Sequence, residues 1–302
     1  MNYDLIEREN AVLIKNMLDF DPKHIFECGQ CFRWHLEEDN SYTAIAYGKV
    51  INVKKDGCDI IFSNTDMKDF RNIWYRYFDL DRDYGEIKRE LSKDPILKEA
   101  ISFGQGMRIL NQEPFETTIS FIISANNQIP RIKKAVELIS NDLGDYAGTW
   151  NGKDYFGFPS PDKLANLNEN YIKDKYRVGF RAERIKEVSR LVANKEFDLN
   201  CIYNLSKEEG KNLLTTLPGV GPKVSDCILL FAFDKSDAFP VDVWVKRVME
   251  YFYLKEETNV KHIGMHGARI FGKLAGFAQQ YLFYYARELN LGKEKKQVIG
   301  NR

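Results

Sequence analysis

The chain has no excess of charge of either sign. Its 44 Lys and Arg balance 44 Asp and Glu over 302 residues, so the net charge is zero. A domain that coats nucleic acid non-specifically is expected to be basic, and the charge balance counts against that class. It does not count against a protein that grips a few phosphates with backbone amides and local charge. No apolar run is long enough to span a bilayer. The start, Met1-Asn2-Tyr3-Asp4, has no basic stretch leading into an apolar one, so no secretory signal is expected. Cysteine is scarce, with five scattered residues. An odd number without a signal segment reads as reduced thiols, and a cytoplasmic location is expected. Metal signatures are also missing. Cys28-x-x-Cys31 has no second pair. His262 and His266 are weakened as a helical pair by Gly264 and Gly267, and there is no HExxH. Zinc is therefore not expected.

What is present is enough apolar residue, 44% of the chain, to bury a real core. The pattern predicts an α+β protein. Residues 1–108 should form a small antiparallel β-sheet domain with helices, and residues 109–302 a helical domain. β-prone runs occupy 26–34, 42–47, 50–53 and 60–62. Asp39-Asn40, Gly48 and Lys55-Asp56-Gly57 read as the turns between them. Helix-like segments follow over about 66–103. Pro114-Phe115-Glu116 opens an apolar helix to Ala125, and Pro130 sits early in the next, to about Leu143. Residues 152–161, rich in Gly, Pro and aromatics, read as a loop. Gly179-Phe180-Arg181 marks a break, and Ser206-Lys207-Glu208-Glu209 a cap and first turn. The tail from Gly292 is charged and is expected to fray.

The most informative stretch is Leu217-Pro218-Gly219-Val220-Gly221-Pro222-Lys223, within a helix-hairpin-helix predicted over 206–233. Two glycines allow a tight turn and close backbone approach to a ligand. Pro222 suits the first turn of the following helix, where its missing N–H is no loss. The free amides at that N-terminus suit a phosphate. Gly-x-Gly alone fits a plain helix-turn-helix corner equally well. The stretch 173–190 is locally basic, which fits either a solvated helix face or a nucleic-acid contact.

The hairpin with the downstream Ala238-Phe239-Pro240-Val241-Asp242 resembles the helix-hairpin-helix (HhH-GPD) DNA glycosylase superfamily. The resemblance is narrower than that. Gly29-Gln30-Cys31-Phe32-Arg33-Trp34, the 106–116 and 121–131 segments, the hairpin and Gly276-Phe277-Ala278-Gln279-Gln280-Tyr281-Leu282-Phe283 are similar to 8-oxoguanine DNA glycosylases of the eukaryotic type. The blocks run in order from about residue 25 to 290. The resemblance implies a bifunctional glycosylase and abasic-site lyase that flips 8-oxoguanine from the duplex. Lys223 would be the amine nucleophile, which needs a lowered pKa to attack. Asp242 would stabilise positive charge on the deoxyribose, and could also cap a helix. Gly29 would offer its carbonyl to N7–H of the lesion, where undamaged guanine has an acceptor. Gln279 would read the Watson–Crick edge, Phe283 would stack on the base, and Cys227, one turn after Lys223, would form the facing wall. Asn126 would fill the gap left by the flipped base. Arg131 and Arg181 would read the estranged cytosine beside Phe180. Gly219, Val220 and Gly221 would meet the DNA phosphate.

The chain departs from that pattern at three positions. Phe180 stands where the family has Tyr, Trp244 where it has His, and Ala286 where it has Asp. The last two put the phosphate and pocket contacts near them in doubt. Loss of the hydroxyl at position 180 implies relaxed choice of the opposite base, with cytosine still preferred. The expected partner is double-stranded DNA containing 8-oxoguanine, the expected state a monomer, and no membrane contact is expected. No cofactor is expected, although the hairpin leaves room for a structural cation. No cysteine follows Cys227, so the four-cysteine iron–sulfur cluster of the related endonuclease III class has no ligands there. Two other readings remain at this point: an alkylbase glycosylase of the same fold, which works without the lysine, and a non-catalytic hairpin DNA-binding module.

Overall fold

A computed structural model describes residues 3–291, so the charged tail from Gly292 lies outside the described residues. The first part of the chain forms a six-stranded antiparallel sheet in the order β1-β2-β6-β5-β4-β3. Its strands are β1 (Leu5–Arg8), β2 (Ala11–Ile14), β3 (Trp34–Leu36), β4 (Tyr42–Ala46), β5 (Lys49–Asp56) and β6 (Asp59–Ser63). The β4–β5 hairpin turns on Tyr47 and Gly48, both with positive φ. That is the backbone a two-residue turn needs to match the strand twist. Alternate residues point to one face: Val12 and Ile14, Phe62 and Ile60, Val53 and Ile51, Tyr42 and Ala44. They pack there with Phe20, Phe26, Trp74 and Phe78.

Two sequence expectations fail in this region. Residues 26–34 are not a strand. A short helix, Pro22–Phe26, starts instead, with Asp21 capping the Lys23 amide and Pro22 in the first turn. Gly29 then takes φ +81, outside the β region. The loop is strapped by buried Gln30, whose amide donates to the Ile25 and Arg108 carbonyls at 2.8 Å and accepts from Leu110 N at 2.8 Å. These side-chain bonds replace a strand ladder, and only Trp34–Leu36 pairs in the sheet. The second failure is the expected loop at 152–161. There β7 (Tyr146–Trp150) and β8 (Lys153–Phe156) form an antiparallel ribbon around Asn151 and Gly152, both at positive φ. The ribbon lies on the other face of the sheet, where Tyr155 packs on Ile45 and Val50. Strands β1 and β2 were not anticipated at all.

The rest is helical, and its core draws on both ends of the chain. Helices Tyr84–Leu91 and Pro95–Phe103 pack with Ala275–Glu288, Pro114–Ser124 with Pro222–Ala232. The Phe121 and Phe231 rings stack at 5.5 Å between the latter two. Arg108 is wholly buried where the two cores meet. It donates to the Asp19 and Asp79 carbonyls and to Tyr3, and lies 4.3 Å over the Tyr84 ring. Among the described residues no helix is long and apolar enough to cross a membrane.

Candidate active site

The hairpin is built from its caps. Ser206 and Glu209 form a reciprocal capping box that starts helix Lys207–Leu214. The chain then turns through Gly219 at φ +87, where a Cβ would come within 2.8 Å of Arg184 Cδ. Gly221 caps the next helix and Pro222 opens it. This places Lys223 in the first turn, at the edge of a cavity of about 490 Å³. Lys223 Nζ sits 5.3 Å from the centroid of the Phe121 ring.

The same cavity is lined by Asp242, Cys227, Gly29, Gln279 and Phe283. Four separate stretches of sequence thus converge on one chamber. Asp242 caps helix Val243–Val248 through Oδ1, which accepts from Trp244 N at 3.0 Å and Val245 N at 2.8 Å. Burial raises its carboxyl above the usual range, against those two amides and the Lys223 and Arg287 charges. Burial also pushes the Cys227 thiol up to about 11, so it is a neutral, soft wall and not a nucleophile. A side chain at Gly29 would press on the Phe283 ring, with its Cβ 3.1 Å from Cε1, and the positive φ already disfavours one. Its loop is held by Gln280, whose amide donates to the Cys28 carbonyl at 2.8 Å. Gln279 is buried, and its Oε1 has no hydrogen-bond partner among the described residues. An orphaned buried acceptor is costly, and here it adjoins an open chamber.

A second cluster lies past the end of the Pro114–Ser124 helix. Asn126 is exposed and held at φ 51. Arg181 is buried and donates to the Ala125 and Asn126 carbonyls, the latter at 3.0 Å, and to Val178 O at 3.2 Å. It therefore clamps the Asn126 turn. Phe180 is 58% exposed, with the Arg181 and Arg184 guanidinium carbons 4.4 and 5.2 Å from its ring centroid. Arg131 is exposed in the first turn of helix Ile129–Leu143.

Comparison with known proteins accords with this geometry. Residues 12–118 match the family model described as 8-oxoguanine DNA glycosylase, N-terminal domain. Residues 119–269 match the HhH-GPD superfamily base excision DNA repair protein model. A probable N-glycosylase/DNA lyase of Methanothermobacter thermautotrophicus is 35% identical over 227 residues, 69% of this chain and 72% of that protein. The N-glycosylase/DNA lyase OGG1 of Arabidopsis thaliana is 30% identical over 85% of this chain and 75% of its own length. The chain belongs to the HhH-GPD superfamily of base excision DNA repair proteins. Within it, the crystal structure of the Clostridium acetobutylicum 8-oxoguanine glycosylase/lyase with double-stranded DNA containing cytosine opposite 8-oxoG superposes with a TM-score of 0.93. That similarity spans 96% of this chain and 100% of the other, at 47% identity.

The three departures from the eukaryotic-type 8-oxoguanine glycosylase pattern have different settings. Ala286 is fully buried in the helical core. Trp244 lines the cavity beneath the Arg247 guanidinium, 4.9 Å from its ring centroid. Phe180 keeps its exposed ring. Sequence reasoning missed three residues that shape the site. Gln280 holds the Gly29 loop, and Arg184 packs on Gly219. Arg287 lines the cavity. The spacing of four from Gln279 to Phe283 to Arg287 was the signal for the last. Cys28 and Cys31 are buried free thiols, and no group of His, Cys, Asp and Glu among the described residues could hold a metal ion.

Proposed function

We propose that the protein flips 8-oxoguanine out of double-stranded DNA and removes it with Lys223 as the nucleophile, then cuts the strand by β-elimination. The observation that carries this is the convergence of Lys223, Asp242, Gly29, Cys227, Gln279 and Phe283 on one cavity. The Lys223 amine bonds to C1′ as the C1′–N9 bond breaks. The electron pair leaves on the base, which takes up a proton. The sugar ring opens at C1′–O4′ to give an imine. Loss of a 2′ proton then expels the 3′ phosphate. Asp242 offsets the positive charge that grows on the sugar while C1′–N9 stretches.

In this reading the base lies between Phe283 and Cys227, the Gly29 carbonyl accepts from N7–H, and Gln279 meets the Watson–Crick edge. Gly219, Val220 and Gly221 hold a phosphate at the helix N-terminus. Asn126 enters the vacated stack, Phe180 and Arg131 face the estranged base, with cytosine preferred, and Arg181 supports that face by clamping the Asn126 turn. The enzyme acts as a monomer in the cytoplasm.

The deciding experiment is incubation with an 8-oxoguanine duplex and borohydride. Covalent trapping is expected for wild type. Lys223→Gln should abolish trapping while binding to lesion DNA stays within a few-fold. Base release without trapping points to an alkylbase glycosylase mechanism, and binding alone to a non-catalytic module. Robust trapping by the Gln variant would falsify the assignment of the nucleophile.

A further inference from the structure

The cavity contains a cation that the chemistry above does not use. Gln279, Phe283 and Arg287 are spaced by four along helix Ala275–Glu288, so they form one stripe. Arg287 is fixed by its neighbours. Nη2 donates to the Glu27 carbonyl, and Nε donates to Glu288 Oε1 at 3.0 Å. Its guanidinium carbon lies 5.2 Å from the Phe283 ring centroid. The remaining nitrogen, Nη1, is buried and has no hydrogen-bond partner among the described residues. It lies against Gly29, where a Cβ would come within 3.1 Å of it. A buried charged donor left unmet is costly. An acceptor on a bound base would satisfy it.

We propose that Arg287 Nη1 donates to the C8 oxygen of 8-oxoguanine, which makes Arg287 a specificity-determining residue. The inference rests on the reading above, in which Gly29 meets N7–H and Gln279 meets the Watson–Crick edge. Two oxygens flank N7 on the damaged base. O6 lies toward the Watson–Crick edge, and O8 lies away from it. On the protein, Phe283 and Arg287 touch the Gly29 position, while Gln279 stands about two turns back along the helix. A donor on the far side of Gly29 from Gln279 therefore meets O8. Undamaged guanine presents C–H at that position, so the cation finds no acceptor there. Gly29 and Arg287 would then read the two features that oxidation creates, the new N–H and the new oxygen.

Duplexes carrying 8-oxoguanine and 8-thioguanine separate this role from a structural one. Both bases keep N7–H, but sulfur is a much weaker acceptor than oxygen. Single-turnover base release is measured for wild type, Arg287→Met and Arg287→Lys. Nicking at a preformed abasic site, which has no base, serves as reference. Arg287→Met should lose roughly ten- to a hundred-fold on 8-oxoguanine, the worth of one charged hydrogen bond. It should lose far less on 8-thioguanine and on the abasic site, and Arg287→Lys should recover part of the loss. Equal losses on the two bases would mean that Arg287 only holds Glu27 and the Gly29 loop, and the proposal is overturned. Unchanged rates overturn it as well. Failure of wild type to release 8-oxoguanine at all would instead overturn the functional reading on which it rests.

Discussion

Asp242 performs two tasks that a single substitution separates. Its side chain caps a helix through two backbone amides, and its charge faces the cavity. Asp242→Asn keeps a capping oxygen and removes the charge. The variant should fold with a thermal midpoint within a few degrees of wild type, while single-turnover base release slows about a hundredfold or more. Near wild-type excision would leave Asp242 a capping role only. Its raised carboxyl pKa also gives the rate profile a sign. In the proposed reaction the anion is the working form, so excision should fall on the acid side at a pH above the ordinary carboxylate range, and that limb should vanish in the Asn variant. At this scale the residues that the resemblance singled out in short motifs, Lys223, Asp242 and Gly29 among them, come together on one cavity. Arg287 and Arg184 were not visible, because a charged residue on a helix reads as solvated until its neighbours are known. Arg181 shows the same limit: its donors go to backbone carbonyls of a turn far away in sequence.

Elements were legible where their ends carried chemistry. The Ser206–Glu209 capping box and the prolines at 114, 130 and 222 mark helix starts that the structure repeats. Asn151-Gly152 is an equally strong hairpin signal, yet the surrounding Gly, Pro and aromatics masked the short strands of β7 and β8. The 26–34 segment failed for another reason. Its apolar residues serve a loop tied by Gln30 and Gln280, and tertiary bonds of that kind leave no periodicity. The short element Gly179–Arg181 carries a prediction. The exposed Phe180 ring keeps the shape of a tyrosine without its hydroxyl, so excision opposite A, G and T should be measurable with C favoured. Phe180→Tyr should sharpen the preference for C by about 1 kcal/mol, near five-fold. Single-turnover rates opposite all four bases make the comparison. Strict C specificity in wild type, or unchanged ratios in the variant, would refute it.

At the scale of the molecule, sheet and helices are joined by buried polar groups rather than by apolar contact alone. Arg108 is one such joint, and Arg33 with Glu116 is another. Arg33 pairs with Glu116 at 3.3 Å and donates to the Phe156 carbonyl, which links the Gly29 loop, a core helix and β8. Burial pushes the Glu116 carboxyl up to about 7, against the pull of Arg33 and with help from Glu113. A carboxyl whose folded pKa exceeds its unfolded value stabilises the fold below the unfolded pKa and loses that contribution as pH rises through the folded one. Stability should therefore decline between about pH 5 and 7 by on the order of 2 kcal/mol from this group. Glu116→Gln should flatten that slope in urea titrations, and an unchanged slope would show that Arg33 keeps the carboxylate charged in the fold. The cysteines carry the remaining consequence. Cys58 is exposed and Cys201 is half-buried, whereas Cys28, Cys31 and Cys227 are enclosed, with burial raising all three thiols. With a pKa near 11, about one Cys227 in ten thousand is a thiolate at neutral pH, and oxidants and alkylating agents attack the thiolate. Iodoacetamide should therefore label Cys58 first and leave base release intact, as paired mass spectrometry and rate measurements can show. The one cysteine among the residues lining the chamber would thus stay in its unreactive thiol form under the conditions that oxidise guanine.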